Sequence, residues 1–369
     1  MKSGLKLVLG LSLLSFTNEM MAWDECCCAD VFVGAPCYSL DVGFRAIAYK
    51  PAVNNLDYAV TADPLPILVP QWRTFDVQPN YNFGFEVDLT AVFHDRGTKL
   101  AVSWEHFENN DSSRASVPTS SMLGPFLGIG RDAALYERAH GKVKWYFDQI
   151  NLDYGTYVNF GECFQANLFV GLTGARIKET RNTFFSGTLP AGSHLPLPPA
   201  GGFIGRNIDS PITFTGGGPR IGLDFSYTLF DDFRLTGQAA AAIFVGNFIN
   251  HTEYKSIFPG PVTVPGLGTF TSPTISKTQV HNRYGIVPEF EGRLGFAYDF
   301  TLCDDFFVKL EAGYEAKVFI GALQSVEIAS QVIAPPVSPD IVGVFARTFE
   351  RKVSDFALAG PYVSINVGF

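Results

Sequence analysis

From Tyr38 to the C-terminus, apolar and polar side chains alternate one by one over long stretches. Between Phe75 and Phe93, the residues Phe75, Val77, Tyr81, Phe83, Phe85, Val87, Leu89, Ala91 and Phe93 share one face. Asp76, Gln78, Asn80, Asn82, Glu86, Asp88 and Thr90 share the other. A period of two is that of a β-strand with one apolar and one polar side. Pro79 lacks a backbone donor, so the upper end of this strand is expected to be irregular. The alternation recurs from Tyr38 to Ala46, Ile221 to Leu229, Tyr284 to Tyr298 and Phe306 to Val318. Between Lys142 and Tyr157 the phase slips near Gln149, which reads as a bulge. The Ala-rich stretch from Phe233 to Val245 carries Leu235, Ile243 and Val245 at strand spacing and is assigned as a strand.

These readings give ten strands, near 38–49, 74–94, 98–107, 140–158, 164–177, 212–229, 233–247, 281–300, 305–320 and 356–369. Short turns near 95–97, 159–163, 230–232 and 301–304 alternate with long connections near 50–73, 108–139, 178–211, 248–280 and 321–355. Short periplasmic turns and long extracellular loops are the form of an outer-membrane barrel. The expected fold is all-β: a closed antiparallel transmembrane β-barrel of about ten strands, or twelve if 178–211 or 248–280 holds another hairpin. Hydrocarbon offers no partner to an open sheet edge, so the first strand should pair with the last. Trp145, Tyr146, Tyr227, Tyr298 and Tyr362 lie near strand ends and are candidates for interfacial aromatic girdles.

Ahead of the barrel, Lys2 and Lys6 with the apolar run Leu5 to Phe16 read as a secretory signal peptide over 1–22. That run is shorter than the roughly 20 residues of a spanning helix. Residues 23–37 are then a Cys-rich periplasmic segment and 38–369 the barrel, in the bacterial outer membrane with its lipid as partner. Composition agrees: the chain is 14% aromatic and only 17% charged, where a soluble domain carries about a quarter charged residues. A net charge of −9 speaks against nucleic acid as a partner. The last strand alternates from Tyr362 to a terminal Phe369, which is the candidate barrel-assembly signal.

If the apolar face meets lipid, the other face lines the lumen. It carries Asp41, Arg45, Glu86, Asp88, Asp153, Arg220, Asp224, Arg234, Arg283, Glu289, Glu291, Arg293, Lys309, Glu311, Glu315 and Lys317. Facing acyl chains at the midplane, each Arg or Lys would cost about 2–4 kcal/mol. Two roles fit these charges. One is a polar channel for ions and small solutes, weakly cation-preferring; the other is an ion-pair network that plugs a narrow barrel. Long outer loops also allow an adhesive or structural role.

Cys26, Cys27, Cys28, Cys37, Cys163 and Cys303 all fall at the periplasmic end of this topology. They are disulfide candidates, within the chain or in a cross-linked homo-oligomer. No His lies near them, which argues against a metal site. An outer-membrane hydrolase would draw on His140, His251 and His281 near the outer rim. None of these has the spacing of a nucleophile, base and orienting group. No enzyme activity, metal or cofactor is therefore expected.

Several short stretches together carry a resemblance. They are Leu56-Asp57-Tyr58-Ala59-Val60, Gly84-Phe85-Glu86-Val87, His94-Asp95-Arg96-Gly97, Trp104-Glu105-His106-Phe107, Trp145 with Asn151-Leu152-Asp153-Tyr154-Gly155, the run Gly171 to Ile177, and the run Gly217 to Asp224. In order and spacing the chain resembles the Legionella major outer membrane protein family, barrels distantly likened to chlamydial major outer membrane proteins. The resemblance implies an outer-membrane porin, often disulfide-linked into larger assemblies, with no catalytic residue to carry over. The Cys26-Cys27-Cys28 triplet has no counterpart in that pattern.

Overall fold

The computed structural model describes residues 38–54, 56–62, 72–117, 122–125, 136–161, 163–188, 203–230, 232–257, 262–264, 268–270, 274–279, 282–303, 306–333 and 345–369. The expected signal peptide and Cys-rich segment lie outside these residues.

Ten long strands form one closed antiparallel ring. We number them β1 (Tyr38–Val53), β2 (Asn82–Phe93), β3 (Thr98–Ser116), β4 (Arg138–Phe160), β5 (Phe164–Thr188), β6 (Phe203–Phe230), β7 (Phe233–Ile257), β8 (Arg283–Cys303), β9 (Phe306–Ile333) and β10 (Phe345–Gly368). Each pairs with the next in sequence, and β10 returns to β1 from Asp41↔Gly368 to Val53↔Phe356. Leu40 and Phe369 lock the seam with two reciprocal backbone hydrogen bonds of 2.9 and 3.0 Å. No sheet edge is left facing lipid, as a barrel in hydrocarbon requires.

The alternating pattern becomes an outer face of exposed apolar side chains. Leu172, Ile221 and Val363 are 62%, 61% and 61% exposed, and Val42, Leu89, Val102, Ile150, Phe290 and Tyr314 stand on the same outer wall. In water such a wall would be untenable; against acyl chains it is the stabilising surface.

Five readings of the sequence need correction. The run Phe75–Phe93 is not one strand: it breaks over Val77–Tyr81, around Pro79, and its first part belongs to a separate small sheet. Val77 is buried among the core residues and does not face outward. No bulge occurs at Gln149, where β4 pairs without interruption on both sides. The irregularities lie at Phe233/Arg234, Thr301/Cys303, Phe319/Leu323 and Ile328/Ser330. Trp145 and Tyr362 are not girdle residues: they point inward and are 0% and 2% exposed. Finally, the strands run past the expected loop boundaries, so that β5 and β6 occupy most of 178–211.

Two small sheets are not hydrogen-bonded into the ring. Asp57–Ala62 pairs with Trp72–Asp76 and Met122–Pro125, and Val262–Val264 pairs with Gly268–Phe270. The strand Thr274–Gln279 extends the outer end of β7. The extra hairpin thus exists within 248–280 but leaves the ring at ten. The first small sheet reaches the inner face of the barrel, since Tyr58 lies against the inward-facing Gly141 of β4 and is buried in the same core. A Cβ on Gly141 would stand 2.5 Å from the Tyr58 ring, so only glycine admits this approach.

Candidate functional site

The inner face of the ring changes chemistry along its length. At the short-turn end it encloses a half-open vestibule of about 350 Å³. Of the expected lumen residues, Asp41, Arg45, Glu86, Asp88, Asp153, Arg220, Asp224, Arg234, Glu291, Arg293, Lys309 and Glu311 line this space. Glu289, Glu315 and Lys317 are buried on the same inner face. Arg283 is not there: it begins β8 at the long-loop end and is exposed.

Some ion pairs and hydrogen bonds cross the bore between strands that are not neighbours, and others run along the wall. Lys99 Nζ on β3 reaches Asp224 on β6 at 2.5 Å, and Asn167 and Gln238 donate to the same carboxylate at 3.0 and 2.9 Å. Arg220 on β6 bridges Asp153 on β4 and Glu291 on β8, both at 2.6 Å. Gln149 on β4 donates to Glu289 on β8 at 2.9 Å. Arg45 pairs with Glu86, and Lys317 on β9 pairs with Glu105 on β3 and with Glu315 at 3.1 Å. Near the vestibule mouth, Arg234 pairs with Asp299, Lys309 with Glu311 at 3.0 Å, and the Tyr362 hydroxyl donates to Glu311 at 2.5 Å. Buried charge is tolerated only when paired in this way.

Tyr49 joins this network to a second, apolar layer. Its hydroxyl lies 2.5 Å from Glu105 and 2.8 Å from Glu315 and shares its one proton between them, while its ring packs edge-on against Phe107 at 5.5 Å. Beyond it, Phe147 of β4 meets Phe319 of β9 at 5.5 Å and Phe356 of β10 at 6.0 Å. Phe244 of β7 meets Phe319 at 5.9 Å. In a ring of ten, β4 and β9 are diametrically opposite, so a Phe147–Phe319 contact spans the whole bore. Trp145, Phe107, Phe147, Phe214, Phe244, Phe319 and Phe356 are all 0% exposed. The lumen is closed at this level.

Lys99, Glu105, Tyr49, Gln149 and Asn167 hold central places that the sequence reading did not assign. The signal for Lys99 and Glu105 was present, because both alternate with the exposed Leu100, Val102 and Trp104 of β3. The rim histidines do not form a cluster by register: His140 lies on β4 opposite Arg114 and Phe184, and His251 on β7 opposite Gln279. His281 is outside the described residues. Cys163 is exposed and has no disulfide partner among the described residues, Cys303 ends β8, and Cys26, Cys27, Cys28 and Cys37 lie outside the described residues. Among the described residues no group of three His, Cys, Asp or Glu side chains is placed to hold a metal ion.

Several solved structures align with most of the chain at low identity. The Escherichia coli outer membrane protease OmpT is 10% identical, covers 90% of this chain and 97% of its own, and has a TM-score of 0.41. The Pseudomonas putida toluene transporter TodX is 8% identical over 91% and 90%, with a TM-score of 0.27. A Pseudomonas aeruginosa FadL homologue is 11% identical over 90% and 89%, with a TM-score of 0.24. No curated protein matches. Residues 34–369 match the family described as the Legionella pneumophila major outer membrane protein precursor. With its closed ring and lipid-facing wall, the chain is an outer-membrane β-barrel and belongs to that family.

Proposed function

We propose that the barrel is a porin of narrow bore, passing ions and small hydrophilic solutes, and that the arrangement described here is its closed state. The observation that carries this reading is the vestibule: charged and polar side chains line it from the periplasmic rim to the buried ion pairs. Glu289 Oε2, Gln149 Oε1 and Asp153 Oδ1 are buried without a partner among the described residues, and such groups call for water. Conduction then requires the Phe147–Phe319 contact to part. Carboxylates outnumber cations among the vestibule's charged groups, which favours cations.

A second reading has its own observation. The aromatic layer is built from wall side chains, and Tyr58, Val77 and Leu123 from the long connections join the same buried core, which supports a permanently plugged barrel with a structural role in the envelope. Planar-bilayer recording of refolded protein separates the two. The porin reading expects small, brief openings from the native chain, and long openings of several-fold larger conductance from Phe147→Ala/Phe319→Ala. Silence from both proteins, with insertion verified, sinks the porin and leaves the structural barrel.

A further inference from the structure

The outer wall above the apolar band is not uniform around the ring. On β4, Lys142 and Lys144 point away from the lumen, because their neighbours Gly141, Val143 and Trp145 are buried inside. On β5, Arg176 and Lys178 do the same between the buried Ala175, Ile177 and Glu179. Arg114 of β3 and Arg138 of β4 continue this face toward the long-loop end, both exposed. Two carboxylates on the same sector, Glu108 and Asp148, are already engaged, and Asp209 of β6 lies within electrostatic reach of Lys178. Glu108 accepts from Lys144 at 2.7 Å, and Asp148 contacts His106 Nδ1 at 2.8 Å. Among the described residues, Lys142, Arg176 and Lys178 form no ion pair. Such a concentration of cations is pronounced in a chain whose net charge is −9.

Register brings these cations together. Lys178 is the cross-strand partner of Tyr146, and Lys144 that of Thr180. Lys144 and Lys178 are therefore diagonal neighbours, about 7–8 Å apart, a gap that one phosphate group bridges. Arg176 lies over the Tyr146 ring at 5.8 Å, which orients its guanidinium at the wall. Its planar fork suits phosphate oxygens.

Depth identifies the occupant. Leu168, Val170 and Leu172 stand 58%, 57% and 62% exposed on the outer face of β5, as lipid contacts do. Arg176 follows Leu172 by four residues, about 13 Å along a strand, or about 10 Å of depth at a tilt near 40°. The patch thus lies where acyl chains end and head groups begin, beside Trp104 and Tyr146, which flank His106 at 6.0 and 5.3 Å, as interfacial anchors are placed. In this outer-membrane placement the long-loop end faces the leaflet of phosphorylated glycolipid.

We propose that Lys142, Lys144, Arg176 and Lys178 form a binding site for the phosphate groups of an outer-leaflet glycolipid. The site rests on the membrane placement of the barrel and not on its conductance. The test uses the refolded full chain in phosphatidylcholine nanodiscs, titrated with bisphosphorylated lipid A. The native protein should retain this lipid with an affinity that falls as salt rises. Lys142→Gln/Lys144→Gln/Arg176→Gln/Lys178→Gln should bind at least ten-fold more weakly, with folding verified by the heat-dependent gel shift of the barrel. A Lys178→Gln protein, expected about three-fold weaker, serves if the fourfold variant does not fold. Lys255→Gln/Lys277→Gln, on another sector, should bind as the native chain does. Equal retention of phosphate-free lipid A, undiminished binding by the variants, or full displacement by millimolar inorganic phosphate would each overturn the proposal. Conductance of the fourfold variant should match that of the native protein, so the two readings fail separately.

Discussion

Within β4, Gln149, Asn151 and Asp153 face inward, and so do Val143, Trp145 and Phe147. The first three belong to the polar half of the bore, the second three to its packed half. Outside, the same strand reverses: Ile150, Leu152 and Tyr154 are exposed beside the polar half, Lys142 and Lys144 beside the packed half. The strand does not slip; the medium changes. Where acyl chains lie outside, apolar side chains turn outward and the interior keeps the polar ones. Where water and head groups lie outside, the interior must earn its stability by apolar packing as any soluble protein does. Alternation therefore reports two faces of a strand, and the surroundings decide which is which.

The largest expected effect comes from stripping the polar half of a charge. Lys317 is buried with Glu105 and Glu315, and Glu291 stands 3.7 Å away. Lys317→Ala leaves Glu105 without its cation, while Glu291 keeps Arg220 and Glu315 keeps Arg45, and should cost about 3–5 kcal/mol, read by urea unfolding from lipid vesicles. Adding Glu105→Gln should restore part of that loss by removing one orphaned charge. A single variant as stable as the native barrel would mean that water, not Lys317, compensates these acids.

A smaller effect tests where the exterior changes. Leu172→Arg places a cation in the lipid band and should cost about 2–4 kcal/mol if that position lies at the midplane. Lys178→Leu, on the same face six residues further on, should stay within about 0.5 kcal/mol. Equal costs at both positions would erase the boundary drawn between them.

This boundary also explains what the sequence could tell. Ring, strand count and closure were legible because exposed apolar residues such as Val87, Leu89 and Leu172 alternate with inward polar ones throughout the lipid band. The misreadings cluster at the change of medium. The slip near Gln149 was real in pattern and marked the passage from polar to aromatic interior. Trp145 and Tyr362 were set in girdles because aromatic residues near strand ends suit both places, and only cross-bore packing puts them inside. Arg283 has inward parity but lies beyond the vestibule. Lys99 and Glu105 were within reach; their partners Asp224 and Lys317 lie 125 and 212 residues away in sequence and are brought together only by closure.

The smallest effect probes the water outside the packed half. The Glu108–Lys144 pair is about half exposed on each side, at 2.7 Å. The hydrogen bond from Lys144, and then its charge, holds the Glu108 carboxyl below the usual glutamate range, against a slight opposing effect of burial. A carboxyl lowered in the folded state stabilises the fold above its unfolded pKa, and that contribution disappears as pH falls through the folded value. Solvent and side-chain entropy limit an exposed pair to roughly 0.2–1 kcal/mol. Glu108→Gln should thus be slightly less stable than the native barrel near neutral pH and equal to it near about pH 2. The difference should also shrink in about 1 M salt, where the screening length is near 3 Å. A gap that resists both acid and salt would place Glu108 away from water, and the outer boundary of the lipid band would have to move up β3 to include it.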